Sequence, residues 1–265
     1  MDLGGLGVHR RFKGPHPAEP TLDSGPRSAA SIYPAWVDHS SQHSLAQRAL
    51  ELVATVVFAA YALAFTARLA AETHATPQAL SIAAGLVGGY LIADLLSGLA
   101  HWVGDRFFEE TTPIIGPGFI APFRQHHVVP EEMVEHGLVE LVGNTAVLAL
   151  PTLAAAFHLL DLASGSPLTL LAGALILSAM VGGVCTNLFH RWAHMERPPR
   201  LARWMQALGV VITPERHAVH HSNGFDSSYC ITTGWLNAPM DRLGVWAWLE
   251  RRLHRAGSRA GQSTR

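Results

Sequence analysis

The amino-acid sequence predicts an all-α integral membrane protein with about four transmembrane helices. Three observations carry this. Charged residues make up only 15% of the 265 residues, where a soluble domain carries about 25%. Four stretches are apolar over the roughly 20 residues a helix needs to cross the hydrocarbon core. Two of the loops joining them contain no lysine or arginine. The formal net charge of −1 lacks the basic excess of a nucleic-acid binder, so no nucleic-acid partner is expected.

Taken in order, residues 1–44 are rich in Gly, Pro, Ser and His and lack an apolar core segment, which predicts a disordered tail without a signal peptide. The expected spans follow at about 49–70, 79–103, 138–160 and 168–189. Pro151 lies inside the third and is expected to kink it. Residues 199–212 and 239–253 mix arginines with Trp and Leu, the composition of a helix lying in the headgroup layer, or of a small helix packed on the bundle. The membrane domain is expected over 45–254, with a disordered tail at 255–265. Cys185 and Cys230 imply no disulfide framework and read as small buried hydrophobes.

The cations orient the bundle. Loops 71–78 and 160–168 have none, while the N-terminal tail, segment 104–137 and the chain after 189 hold nearly all of them. The positive-inside rule then places both termini and segment 104–137 in the cytoplasm. Arg68 breaks the pattern and is expected to snorkel to the outer interface. The Ala/Arg/Gly-rich composition, with Lys13 the single lysine, suggests a bacterial inner membrane; in a eukaryote the same chain would sit in the endoplasmic reticulum.

Nine histidines fall in four clusters, all on the predicted cytoplasmic face. They are His101 with Asp105, His126-His127 with His136, His190 with His194, and His217 with His220-His221. Neutral imidazole is the commonest protein ligand for transition metals. His190 and His194 share a helix face and can hold one ion. His217 and His220 lie near one face with His221 turned about 100° away, so this box can serve two ions. His126 and His127 cannot point the same way on a helix and fit a turn or two ions. Asp105 is either a carboxylate ligand or an acceptor that fixes a histidine tautomer. Zinc sites use three or four ligands; nine candidates exceed that and point to a di-metal site of redox metals. His74 and His158 fall at the opposite face and are set aside. Asp94, Ser97, Glu140, Asn144 and Asn187 lie within or at the mouths of spans, where polar groups mark a functional path or bond between helices.

The motifs Asp94-x-x-Ser97-Gly98-x-x-His101-Trp102-x-x-Asp105, Pro122-Phe123-Arg124-x-His126-His127 and Asn187-x-x-His190-x-Trp192-x-His194 resemble the lipid desaturase domain of the plasmanylethanolamine desaturase (CarF-like) family. So does the stretch from His217-x-x-His220-His221 through Tyr229-Cys230-Ile231-Thr232-Thr233-Gly234-Trp235-Leu236-Asn237. The resemblance covers about residues 80–253. It implies a membrane enzyme that converts a 1-O-alkyl ether phospholipid to the vinyl ether of a plasmalogen, using two iron ions, O2 and electrons from a cytochrome b5-type or ferredoxin-type donor. It implies iron ligation by His101, His126, His127, His190, His194, His217, His220 and His221 and a catalytic role for Asp105; His136 matches a family histidine and, with Asp105, is a further metal candidate. Arg124, Arg191 and Arg216 are candidates for the lipid phosphate, because guanidinium binds phosphate bidentately. A plant relative with similar boxes desaturates an ester-linked acyl chain, so an acyl-lipid desaturase or hydroxylase is the nearest alternative. A zinc hydrolase and a non-enzymatic metal-binding membrane protein are the alternatives of another class.

Overall fold

A computed structural model describes residues 44–113, 116, 120–130, 132–222 and 224–262. The tail expected over residues 1–44 lies outside them except for Ser44. Four long helices fit the expected spans: α1 (Leu45–Ala71), α2 (Thr76–Arg106), α5 (Leu138–Leu159) and α6 (Pro167–His194). Short helices fill the rest: α3 (Ala121–Val128), α4 (Glu132–Glu135), α7 (Arg200–Ala207), α8 (Pro214–Ser222), α9 (Asn237–Arg242) and α10 (Val245–Gln262). No strand occurs among the described residues.

Local chemistry sets the helix starts. Ser44 Oγ accepts the Gln47 amide at 3.2 Å at the head of α1, and prolines occupy the first turns of α2 and α6. Pro151 lies inside α5, which continues unbroken to Leu159. The helix α10 runs to Gln262, past the boundary expected at 254.

Packing follows small residues. The helix α2 lies chiefly on α6, and α1 on α5. At Gly85 and Gly89 a Cβ would strike the carbonyl oxygens of Leu171 and Leu175. This small-xxx-small spacing lets the α2 and α6 backbones touch, the device that replaces the hydrophobic effect between helices in lipid. Large apolar residues point outward instead: Leu52, Val53, Val56, Leu63, Leu80, Val87 and Leu148 are exposed. A bilayer covers such a surface.

One end of the bundle is closed by polar contacts. Arg68 donates to the Phe157 carbonyl at 2.6 Å and lies over the Phe157 ring. It binds the last turn of α5, whose carbonyls lack intrahelical partners. Tyr61 meets His158 there at 2.9 Å. The α2 and α6 C-termini lie at the other end, with every histidine cluster. Beyond them lie α7, with Leu201 and Trp204 exposed and Ala202 buried, and α10, with Trp248 and Leu253 exposed and Trp246 buried.

Candidate metal centre

Three i,i+4 pairs and one adjacent pair build the site. The helix α2 brings His101 and Asp105, α6 brings His190 and His194, and α8 brings His217 and His221 with His220 beside them. The helix α3 delivers His126 and His127 to opposite sides. The donors fall into two groups: His126, His190, His194, His217 and His221; and His101, Asp105, His127 and His220. Within each, one ligand atom per residue lies within 4.8 Å of all the others.

The first group is a tight cage. His217 Nε2 is 2.8 Å from His190 Nε2 and 2.9 Å from both His194 Nε2 and His221 Nε2; His194 and His190 are 3.1 Å apart. A neutral imidazole nitrogen carries at most one proton, so His217 cannot serve three ordinary hydrogen bonds at once. The arrangement fits lone pairs aimed at one shared cation. Nitrogens so spaced, each about 2.1 Å from an ion, subtend roughly 90° at it, whereas a tetrahedral ion would spread them to about 3.4 Å.

The second group is wider and carries the carboxylate. His127 Nε2 is 3.4 Å from His101 Nε2 and 3.3 Å from His220 Nε2. Asp105 Oδ2 lies 3.6 Å from His101 Nε2 and 3.3 Å from His220 Nε2, with its oxygens buried and outside any ordinary hydrogen bond among the described residues. His220 Nδ1 donates to the Ser227 carbonyl at 2.7 Å, which leaves its Nε2 bare and facing the group. The groups adjoin: the His126 and His127 rings are 4.2 Å apart, and His101 and His190 5.8 Å.

The loop after α8 is held from inside the bundle. Asp94 accepts the amides of Thr233, Gly234 and Leu236, and Ser97 Oγ accepts that of Ile231. Gly234 has φ +71, in the left-handed region glycine tolerates, and a Cβ there would also meet Ile212. Asn187 donates to the Leu141 carbonyl, and Asn144 is exposed. Asp94, Ser97 and Asn187 thus bond separate segments together. Cys230 is buried and free, its thiol pKa pushed up by burial, as expected of a small packed hydrophobe.

The model of the lipid desaturase domain matches residues 90–263, which contain every donor of both groups. The chain belongs to this lipid desaturase family. It is 34% identical to a plasmanylethanolamine desaturase of Myxococcus xanthus, over 79% of this chain and 73% of that one. It is 36% identical to plasmanylethanolamine desaturase 1 of Mus musculus, over 63% of this chain and 62% of that one. Fatty acid desaturase 4, chloroplastic, of Arabidopsis thaliana is 31% identical over 61% of this chain and 48% of its own length. No solved structure matches. The protein is a membrane lipid desaturase, hence an oxidoreductase acting on lipid.

Three expectations change in this desaturase. His126 and His127 lie on a helix, which removes the turn, and divide between the two groups as the two-ion alternative expects. In the last box His217 pairs with His221 rather than His220, because four residues close a helical turn better than three. His136 joins neither group; its Nδ1 pairs with Glu140 at 2.9 Å. The arginines also separate. Arg124 donates to the carbonyls of Gly104, Asp105, Phe107 and Phe108, tying α3 to the end of α2. Arg216 donates to the Thr233 carbonyl at 3.0 Å. Arg191 Nε is buried without a hydrogen-bond partner among the described residues.

Burial disfavours the charged form of four imidazoles on α3 and α8. It is the main cause that lowers His126 and His217 well below 6.5, His127 to about 2 and His221 to about 4, with neighbouring histidines adding to it. Each binds fewer protons folded than unfolded between its folded pKa and 6.5, so stability rises with pH across that window and is complete above it. The metal-free protein should therefore melt at progressively lower temperature as pH falls below about 6.5. A melting temperature flat between about pH 7.5 and pH 5 would contradict the buried, neutral cluster.

Proposed function

We propose that this chain forms the vinyl ether bond of plasmalogens by desaturating the 1-O-alkyl chain of an ether phospholipid, with two iron ions held by its two donor groups. The observation that carries the reading is the convergence of eight histidines and Asp105 into two adjacent groups at the ends of α2 and α6. Nine donors split five and four exceed the needs of one zinc ion. Imidazole-rich sets suit iron, and the near-right-angle spacing of the first group suits more than four ligands.

His126, His190, His194, His217 and His221 would hold one ion; His101, His127, His220 and Asp105 the other. Bound iron would supply the oxidising power: O2 and two electrons from a cytochrome b5-type or ferredoxin-type donor, with two protons, accept two hydrogens of the alkyl chain, giving a double bond and two waters. That chemistry would then lie at the mouth of the bundle. The ether carbons C1 and C2 lie beside the headgroup, at that same depth, whereas a mid-chain bond would need a deep tunnel. Burial of the donors excludes bulk water. Arg191, beside His190, remains the headgroup candidate, since Arg124 and Arg216 are engaged by backbone carbonyls. The histidine-bearing end and both termini would face the cytoplasm, in a bacterial inner membrane.

The acyl-lipid reading keeps a place because one relative is named a fatty acid desaturase. One experiment separates the two. The chain is expressed in cells that contain alkyl ether lipids but lack this activity, and acid-labile vinyl ethers are measured by mass spectrometry. Vinyl ethers are expected. Their absence from iron-loaded protein with a competent electron donor, or a new double bond on an ester-linked chain instead, overturns the ether assignment.

A further inference from the structure

His127 is supported differently from the other donors. The ring of Phe225 lies flat on it, with centroids 4.2 Å apart and planes 10° apart. Phe225 reaches that position at a cost. Its φ is +60, a region that bulky L residues avoid because Cβ crowds the following carbonyl.

The surroundings hold that conformation in place. Tyr229 Oη donates to the Phe225 carbonyl at 2.7 Å. Asp226 pairs with Arg106 at 2.8 Å, and the Asp241 carboxylate accepts both the amide and the hydroxyl of Ser228. Strain retained by a segment tied at several points collects where function needs it. Here it delivers one aromatic face to one donor ring. His220 takes its orientation from the Ser227 carbonyl and, like His221, meets Phe225 only edgewise, at 5.6 and 5.8 Å.

We propose that Phe225 is a positioning residue: its ring fixes the plane of His127 and thereby completes the group of His101, Asp105, His127 and His220, while the five-histidine group stands without it. The inference rests on the two-ion reading above. Stacking can orient an imidazole without consuming either ring nitrogen, which suits a donor whose Nε2 and Nδ1 both face the group.

The test uses the full chain, purified in detergent, loaded with ferrous iron and then exposed briefly to excess ferrous chelator. The unsubstituted protein and Phe225→Tyr, which keeps the ring, should retain about two ions per chain. Phe225→Leu and Phe225→Gly should lose one ion at least about tenfold faster and keep the other at the unsubstituted rate. Metal-free Phe225→Gly should melt no lower than the unsubstituted chain, because glycine relieves the positive φ. Release unchanged in both Leu and Gly variants overturns the proposal. So does equal acceleration of both ions with a lowered melting temperature, the mark of a merely structural side chain. Fewer than two ions in the unsubstituted chain would overturn the two-ion reading, and this inference with it.

Discussion

His217→Ala is expected to abolish vinyl ether formation and to remove one iron per chain, with little change in the stability of the metal-free protein. His217 is the hub of the five-histidine group, its Nε2 within 2.9 Å of three other Nε2 atoms. Residues that only orient a ligand cost about 10–100-fold in metal affinity when changed; deleting the ligand that three of the other four face should cost at least about 100-fold. The metal-free fold gains little from this side chain. Its Nδ1 is buried without a hydrogen-bond partner among the described residues, so truncation removes an unsatisfied polar atom as well as some packing. Iron per chain, vinyl ether yield and metal-free melting temperature together isolate the ligand role. His136→Ala is the control: it should retain both ions and activity, because His136 pairs with Glu140 outside both groups. A His217→Ala protein that keeps two ions and makes vinyl ether would refute the assignment of the first group.

The spans and the end of the bundle that bears the site were legible because hydropathy and charge are one-dimensional signals. Charge counts do not say what an arginine binds: Arg68 is tied to Phe157, and Arg106 to Glu250 and Asp226. All eight histidines that converge were visible as clusters. Their division was not. Whether His127 joins His126 or His101 depends on how α3 meets α2, and that approach is set by Arg124 reaching four carbonyls, which no spacing in the sequence encodes. The Gly85-x-x-x-Gly89 spacing was readable as a close helix contact and could have predicted the α2–α6 pairing that places His101 beside His190. Phe225 carried no signal, since a left-handed φ at phenylalanine is visible only in coordinates.

Asp94 is where the intramembrane polar residues acquire their meaning, and Asp94→Ala is expected to cost the fold more than any other single change at this end. Its carboxylate accepts three backbone amides from residues 139 to 142 positions later in the chain. Asp94 itself is fully buried. Alanine would leave all three N–H groups without that acceptor, Thr233 in a buried site and Gly234 and Leu236 in partly buried ones. At roughly 1–3 kcal/mol for each unsatisfied buried donor, partly relaxed by movement of the loop, the loss is on the order of 4 kcal/mol. Asp94→Asn should cost less. Its single oxygen can still serve Thr233 and Gly234, but its NH2 would face the Leu236 amide, donor against donor. The damage should reach the metal site, because the same loop continues back through Tyr229 and Phe225 to the Ser227 carbonyl that orients His220. Thermal melting should therefore rank unsubstituted, Asn, Ala. Limited proteolysis should cut residues 222–236 fastest in the alanine variant, and iron should be lost from the carboxylate-bearing group before the five-histidine cage. An alanine variant that melts with the unsubstituted chain would show that Asp94 is not the anchor of this loop. The functional-path reading of the polar residues in α2 would then have to be taken up again.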